Sequence, residues 1–181
     1  MDSGDIIESS KTIINDDDTV GTLHDRLSIM GRDLLLKTLP SIVNHTNKRI
    51  KQNELEVTFG FNIKREEELI NFNKSRREVF NKIRGLNPNP GGYFLLNEKI
   101  VKVYKVEEIC NNNYQDKING ERVKIDKNSF FIKVVDGLIR VLEIKLEGKK
   151  RMSVREFLNG NQEDLLGIIV NKGVTYEEER K

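Results

Sequence analysis

The sequence predicts an α+β chain, in which a short strand and a long helix, arranged as at the end of an α/β unit, precede a small closed barrel of antiparallel strands. Three observations carry this expectation. Leu23, Leu27, Met30, Leu34 and Leu35 recur at three- and four-residue spacing, the period of one helix face. Between Tyr93 and Leu146, short runs of alternating apolar residues are separated by turn-forming residues, the pattern of strands with one buried face. The charge divides along the same line. Residues 1–73 carry 9 basic and 13 acidic side chains, net −4; residues 74–160 carry 19 and 11, net +8; residues 161–181 carry 3 and 5, net −2. A basic module between acidic flanks is the footprint of a polyanion binder, although solvated lysines on a barrel surface would give the same count.

At 181 residues the chain amounts to one ordinary domain or two small ones, and it is long enough to bury a core. A charged fraction of 33% beside 36% hydrophobic residues is globular in balance. No apolar run approaches the ~18 residues that cross a bilayer, so no membrane partner is expected. The opening MDSGDIIESS is acidic and has no signal-peptide core, which makes the cytoplasm the expected location. The single cysteine, Cys110, excludes an internal disulfide. With only His24 and His45 beside it, no metal site is expected.

In chain order, GDIIESSKTII reads as a short strand with a mixed pattern. Asp16, Asp17, Asp18 and Thr19 are helix N-capping residues that also suit the positive helix start. The helix that follows should turn its leucine stripe inward and keep Asp25, Arg26, Arg32 and Asp33 outside, and Pro40 should kink or end it. Residues 44–65 are polar and poorly periodic, with one short strand expected at residues 56–59. Residues 75–84 form a helix with Val79, Phe80 and Ile83 on one face and Arg76, Arg77, Lys82 and Arg84 on the rest, stopping at Gly85. Pro88 and Pro90 fix φ and withhold donors while Gly91 and Gly92 admit positive φ, so Asn-Pro-Asn-Pro-Gly-Gly is a sharp corner before the first barrel strand. Strands follow at residues 93–96 and 99–106, flanking the turn Asn97-Glu98, then at residues 123–125, 130–135 and 138–146, with Asp136-Gly137 as a tight hairpin turn. Ser153-Val154-Arg155-Glu156 is a capping box for one short helix ending near Gly160. The last twenty residues are expected to fray.

Three segments in order, DSGDI with DDTVGTLHDRL, then IRGLNPNPGGY, then DGLIRVLEIKLEGKKRMSVREFLNG, resemble the methionyl-tRNA formyltransferase family over residues 2–160. EGKKRMS points to that family most sharply; the Pro-Gly stretch is shared with sugar formyltransferases and formyltetrahydrofolate dehydrogenase. The resemblance implies residues 1–44 as the C-terminal remnant of a Rossmann-like catalytic domain, residues 45–73 as a linker, residues 74–160 as an OB-like tRNA-binding domain and residues 161–181 as a tail. The Pro-Gly corner then delivers a helix into the barrel.

The same resemblance implies 10-formyltetrahydrofolate as formyl donor for the full enzyme and initiator methionyl-tRNA as its partner. Asp2 matches the catalytic Asp of the family's Asp-Thr-Gly-Asp-Ile-like segment. The family's Asn-x-His pair and Ser-Leu-Leu-Pro-like loop have no counterpart here, since neither His24 nor His45 stands two residues after an Asn. The expectation is that this chain binds no folate and transfers no formyl group alone, its catalytic half being truncated, split or separately encoded. Its tRNA contacts are expected from Lys145, Lys149, Lys150, Arg151 and Arg155, with Arg84, and weakly from Lys64 and Arg65 of the linker, where Thr58-Phe59-Gly60-Phe61-Asn62-Ile63 matches the family's Thr-Tyr-Ala-Pro-Lys-Ile only loosely. Asn89 replaces the aromatic residue usual between the two prolines. A basic loop capping the barrel mouth is the structural alternative for the cluster. A stand-alone RNA-binding barrel without catalysis, or a fragment of a sugar-nucleotide formyltransferase, are the alternative functions.

Overall fold

A computed structural model describes residues 4–160 and 166–176 of the chain. Asp2 and the outer parts of the expected tail, residues 161–165 and 177–181, lie outside the described residues. The chain divides into two compact units, Met1–Asn62 and Ile63–Lys181. No helix among the described residues is long and apolar enough to cross a membrane.

The first unit is built on α1, Val20–Val43. Thr19 caps it: the Thr22 N–H donates to the Thr19 hydroxyl at 3.2 Å and the Thr19 N–H to the Thr22 hydroxyl at 2.9 Å, satisfying donors that no preceding turn can. Asp18, buried just ahead of the cap, accepts both Arg26 terminal nitrogens at 2.9 and 2.6 Å. Arg26, expected outside, is thereby drawn to half-burial. The helix does not end at Pro40 but runs one further turn, closed by the Asn44 N–H on the Pro40 carbonyl at 3.0 Å. The Thr38 hydroxyl donates to the Leu34 and Leu35 carbonyls one turn before the proline, whose missing N–H leaves the Leu36 carbonyl without its helical donor.

Three expectations fail in this unit. GDIIESSKTII is not a strand; among the described residues its ladder contact is one bridge, Ile6 with Ile50. The leucine stripe is not turned into a core either: Leu27 and Leu35 are 46% and 58% exposed, and Thr38 is the one buried residue of α1. Leu23, Met30 and Leu34 of the stripe are half-buried; amphipathic spacing fixes which face is apolar, and among the described residues the unit has no sheet to bury it fully. Residues 56–59 are likewise no strand, following a single 3-10 turn at Glu54–Glu56.

The second unit begins with residues placed in the linker by the sequence reading. Ile70 and Phe72 are 0% and 2% exposed and belong to its core. After them comes α2, Arg76–Gly85, held by the Ser75–Glu78 capping box and burying Val79 and Ile83. Leu86 to Gly92 form the corner: the Gly91 N–H, at φ 82°, donates to the Leu86 carbonyl at 2.8 Å, and the Asn87 side chain donates to the Tyr104 carbonyl at 2.8 Å. Gly92 lies close to the core: a Cβ there would meet the Ile70 side chain at 3.3 Å, so that buried side chain would have to give by a few tenths of an ångström.

Six antiparallel strands follow: β1 Tyr93–Leu96, β2 Lys99–Ile109, β3 Arg122–Ile125, β4 Phe130–Val134, β5 Gly137–Leu146 and β6 Met152–Ser153. Their order is β1-β2-β5-β4-β3, and β6 takes the far end of β5, beyond the residues paired with β4. The β1–β2 turn uses positive φ at Asn97 and Glu98. The β4–β5 hairpin uses it only at Gly137, where a Cβ would fall 2.6 Å from the Ile109 carbonyl oxygen. Asp136 there accepts the Arg76 N–H at 2.6 Å, so the hairpin docks on the start of α2. A bulge in β2 between Val103 and Val106 adds twist, and the sheet curls. Edge-to-face pairs of Phe72 with Phe94 and Phe94 with Phe130 fill its hollow, with Val154 and Phe157 of α3, Val154–Gly160, against them.

The curled sheet does not close by strand pairing. Its edges, β3 and β1, are tied instead by the stretch after α3: Arg122 N–H to Ile168 carbonyl at 3.0 Å, Gly167 N–H to Arg122 carbonyl at 2.9 Å, and Asn171 N–H to Leu95 carbonyl at 2.9 Å. Val170 and Asn171 are 3% and 5% exposed. Residues 166–176, expected to fray, thus protect both edges from open pairing.

Candidate nucleic-acid interface

The expected basic cluster is assembled by one strand, one turn and one strand. β2 and β5 pair so that Lys102 lies directly opposite Lys145 and Lys105 opposite Glu143. Beyond Leu146 the chain reverses through Glu147 to Lys150, with the Lys149 N–H on the Leu146 carbonyl at 3.0 Å and Gly148 at φ 71°. β6 then returns along β5, bringing Ser153 opposite Glu143. Lys145, Lys149, Lys150 and Arg151 therefore share one end of the sheet. Lys145, Lys149, Lys150 and Arg155 are exposed, and none forms an ion pair among the described residues.

Arg151 differs. Its Nε and Nη2 grip both carboxylate oxygens of Glu143, the second at 2.7 Å, while its guanidinium lies 4.4 Å from the centroid of the Tyr104 ring. The hydrogen bonds that Arg151 donates to Glu143 raise its pKa above the ordinary value. A planar cation clamped on both sides is oriented but half-neutralised, so it contributes less free charge than its neighbours.

Arg155 sits in the first turn of α3, whose start is fixed by Ser153: the Glu156 N–H donates to its hydroxyl at 3.2 Å, and the Ser153 N–H and hydroxyl both donate to Glu156 at 2.8 Å. The Ser153 backbone N–H, the first cause, and the hydroxyl hold Glu156 below the usual carboxylate range, so this acid is engaged in the cap. Across residues 143–156 there are five basic and three acidic side chains, and two of the acids, Glu143 and Glu156, are committed to partners.

The remaining candidates are placed elsewhere. Arg84 is in the last turn of α2, its Nε on Asn81 at 2.8 Å and its guanidinium 5.8 Å from the Phe80 ring. Arg65 is occupied structurally, bonded to Glu68 at 2.6 Å and lying 4.5 Å over Tyr93. Lys64 is exposed. Asp2 falls outside the described residues.

Sequence reasoning missed Lys102, Tyr104 and Glu143. Lys102 is tethered to the Pro90 carbonyl and lies 3.8 Å from Glu68, which binds the Pro-Gly corner to the sheet. The alternation KIVKVYK marks Lys102 and Tyr104 as outward-facing, but only the pairing of β2 with β5 shows what they oppose.

Exposed ammonium groups clustered on one turn can neutralise phosphates, contacts that position a nucleic acid without carrying sequence information. His24 and His45 are exposed, the His24 Nδ1 lying 3.3 Å from Asp25, and no group of metal-ligating residues occurs among the described residues.

Residues 62–162 match the family described as formyl transferase, C-terminal domain. The methionyl-tRNA formyltransferase of Staphylococcus aureus (strain MW2) is 39% identical over 168 residues, covering 92% of this chain and 53% of that protein. The chain thus spans about half the length of the curated relatives it matches. Among solved structures, a variant of HypX from Aquifex aeolicus aligns over 90% of this chain and 30% of its own, with a TM-score of 0.62 at 17% identity. The N-formyltransferase from Helicobacter canadensis, solved with folinic acid and dTDP-3-aminofucose, aligns over 84% of this chain and 52% of its own, with a TM-score of 0.58 at 23% identity. These two likenesses speak to the fold, whereas the family match covers more than half of the 181 residues and takes in the sheet, its corner and the basic turn, so the chain belongs to the formyl transferases through their C-terminal domain.

Proposed function

We propose that this chain is the tRNA-holding portion of a methionyl-tRNA formyltransferase. The observation that carries the reading is the exposed basic turn, Lys145, Lys149, Lys150 and Arg155 around the clamped Arg151, on a domain of that family. The lysines would take phosphates of the acceptor arm of initiator methionyl-tRNA.

Formyl transfer needs a donor group that stabilises the oxyanion as the methionyl amine attacks the formyl carbon of 10-formyltetrahydrofolate, and a carboxylate to orient that donor and manage the proton. The 181 residues contain an Asp at the family's position, Asp2, but no Asn-x-His pair. The chemistry is therefore assigned to the part of the family's enzyme that bears that pair, and Asp2 to the orienting role beside it.

The test is tRNA binding and formyl transfer by the purified chain, with and without the first half of the Staphylococcus aureus relative. Salt-sensitive binding without turnover, and turnover on adding the half that is lost again with Asp2→Ala, is the expected outcome. Turnover by the chain alone would show that the catalytic group has been misread. Binding with no turnover under any complementation would leave a stand-alone RNA-binding domain. Failure to bind tRNA at physiological salt would favour the sugar-nucleotide enzymes, to one of which the fold is similar.

A further inference from the structure

In the second unit, a cavity of about 280 Å³ lies between residues 69–71 and one face of α2. Its floor is apolar, with Ile70 and Val79 0% and 2% exposed. Asn71, Lys74, Glu78, Asn81 and Lys82 line the rest. The volume sits just below the ~300–1,000 Å³ of sites that take drug-sized ligands, room for one nucleotide and not for a helix.

The polar groups left for a ligand are donors. The Asn71 Oδ1 accepts the Asn73 N–H at 2.9 Å, and the Asn81 Oδ1 accepts the Arg84 Nε–H at 2.8 Å. Both partners are donors, so each amide must turn its oxygen to them and keep its Nδ2 to donate elsewhere. Neither Nδ2 has a partner among the described residues. The carboxylate of Glu78 is taken by the Ser75 N–H and hydroxyl at 2.9 and 2.6 Å, with the Lys74 Nζ 3.9 Å away. Lys82 forms no ion pair among the described residues.

A ligand for this lining must bring an apolar face, negative charge and paired acceptors. A base on its ribose phosphate has all three, and unstacked bases of RNA are read in this way. Two adjacent acceptors on one edge belong to guanine, as O6 and N7. The same edge of adenine sets a donor beside N7, that of cytosine offers a donor, and that of uracil a single acceptor.

We propose that this cavity takes a guanosine nucleotide, its O6 and N7 edge on the Asn71 and Asn81 amides and its phosphate on Lys74 and Lys82. The ligand is a free nucleotide or an unpaired guanosine of bound RNA, and only the second source rests on the tRNA-holding reading.

Titration of the isotope-labelled full chain with GMP, AMP, UMP, CMP and ribose 5-phosphate, followed by amide NMR, tests this. GMP should shift the side-chain amides of Asn71 and Asn81 and bind about tenfold more tightly than AMP, the difference made by one well-paired base edge. Lys82→Met, which keeps the apolar stem, should weaken every phosphate-bearing ligand alike. Asn81→Asp keeps the oxygen that holds Arg84 and loses the donor. It should abolish the preference for GMP over AMP, a ratio that the added charge alone does not move. Initiator tRNA that shifts the same amides and competes with GMP would place the guanosine in RNA; tRNA that binds and leaves them unmoved would assign the site to the free nucleotide. No shift at Asn71 or Asn81 up to about 10 mM GMP would overturn the proposal, as would equal binding of AMP or ribose 5-phosphate. GMP shifts in a chain that binds no tRNA would sink the tRNA-holding reading and leave the cavity's assignment standing.

Discussion

Replacing Lys149 and Lys150 together by alanine removes two exposed ammonium groups that have no carboxylate partner among the described residues. Its effect is therefore calculable from counterion release. Each phosphate contact contributes about 0.9 to the slope of log affinity against log salt on a duplex, so the variant's slope should be shallower by about 1.8. Between 50 and 200 mM salt, the wild type should lose about tenfold more affinity than the variant. At about 0.1 M salt, the two contacts together correspond to at most about 60-fold in affinity. Filter binding of initiator tRNA across a salt series measures slope and affinity at once, and thermal unfolding confirms that the fold is untouched. A slope within error of wild type would refute the reasoning, because a loss of affinity without a change in slope cannot come from phosphate contacts.

Asn171 should be a sensitive point of the second unit. Its side chain accepts the Leu95 N–H at 2.7 Å and donates to the Ile70 carbonyl at 2.8 Å, both from a buried site at φ 55°. Asn171→Ala orphans both groups and should cost about 2–4 kcal/mol in urea unfolding; a loss below about 0.5 kcal/mol would mean that residues 166–176 do not hold the sheet. In the first unit, hydrogen bonding from Arg26, aided by the Asn15 N–H, lowers the Asp18 pKa from 3.8 to about 2. A depressed carboxyl stabilises the fold above its unfolded value and loses that contribution as pH falls through the folded one. The start of α1 should accordingly lose hydrogen-exchange protection between about pH 4 and pH 2, while Asp18→Asn lacks this transition. A variant with the same acid profile as wild type would show that the pair contributes nothing. The exposed leucine face of α1 predicts weaker amide protection there than in β2 and β5, and equal protection would mean that the face is covered in solution.

The elements most legible in the sequence were those closed locally. The Ser153–Glu156 capping box, the Asn97-Glu98 turn and the Pro-Gly corner depend on residues within a few positions of one another, and all three form where expected. What escaped depends on distant partners. The apolar run Ile168, Ile169 and Val170 gave no sign that its backbone would bridge β3 and β1. Alternation at residues 56–59 suggested a strand, but alternation does not create a neighbour to pair with. For the basic cluster, the chain order KLEGKKR was enough to gather Lys145, Lys149, Lys150 and Arg151. It could not reveal that Glu143, two residues before Lys145, would take Arg151 for itself, because that contact follows from β6 folding back along β5.

The distinction between Arg151 and the lysines bears on what the module can contribute under the proposed function. A guanidinium held by a carboxylate and a tyrosine face has lost its freedom in advance, so it can orient a backbone at little further entropic cost. Lys149 and Lys150, on an open turn, supply charge without direction. Neither kind of contact reads a base, so the affinity they add is the same for every tRNA of similar shape. Affinity that is equal in the ground state and the transition state lowers KM without raising kcat. The basic turn can thus lengthen the stay of a tRNA near the chemistry, while the choice of the methionyl ester and of the initiator must be made by groups outside residues 143–156.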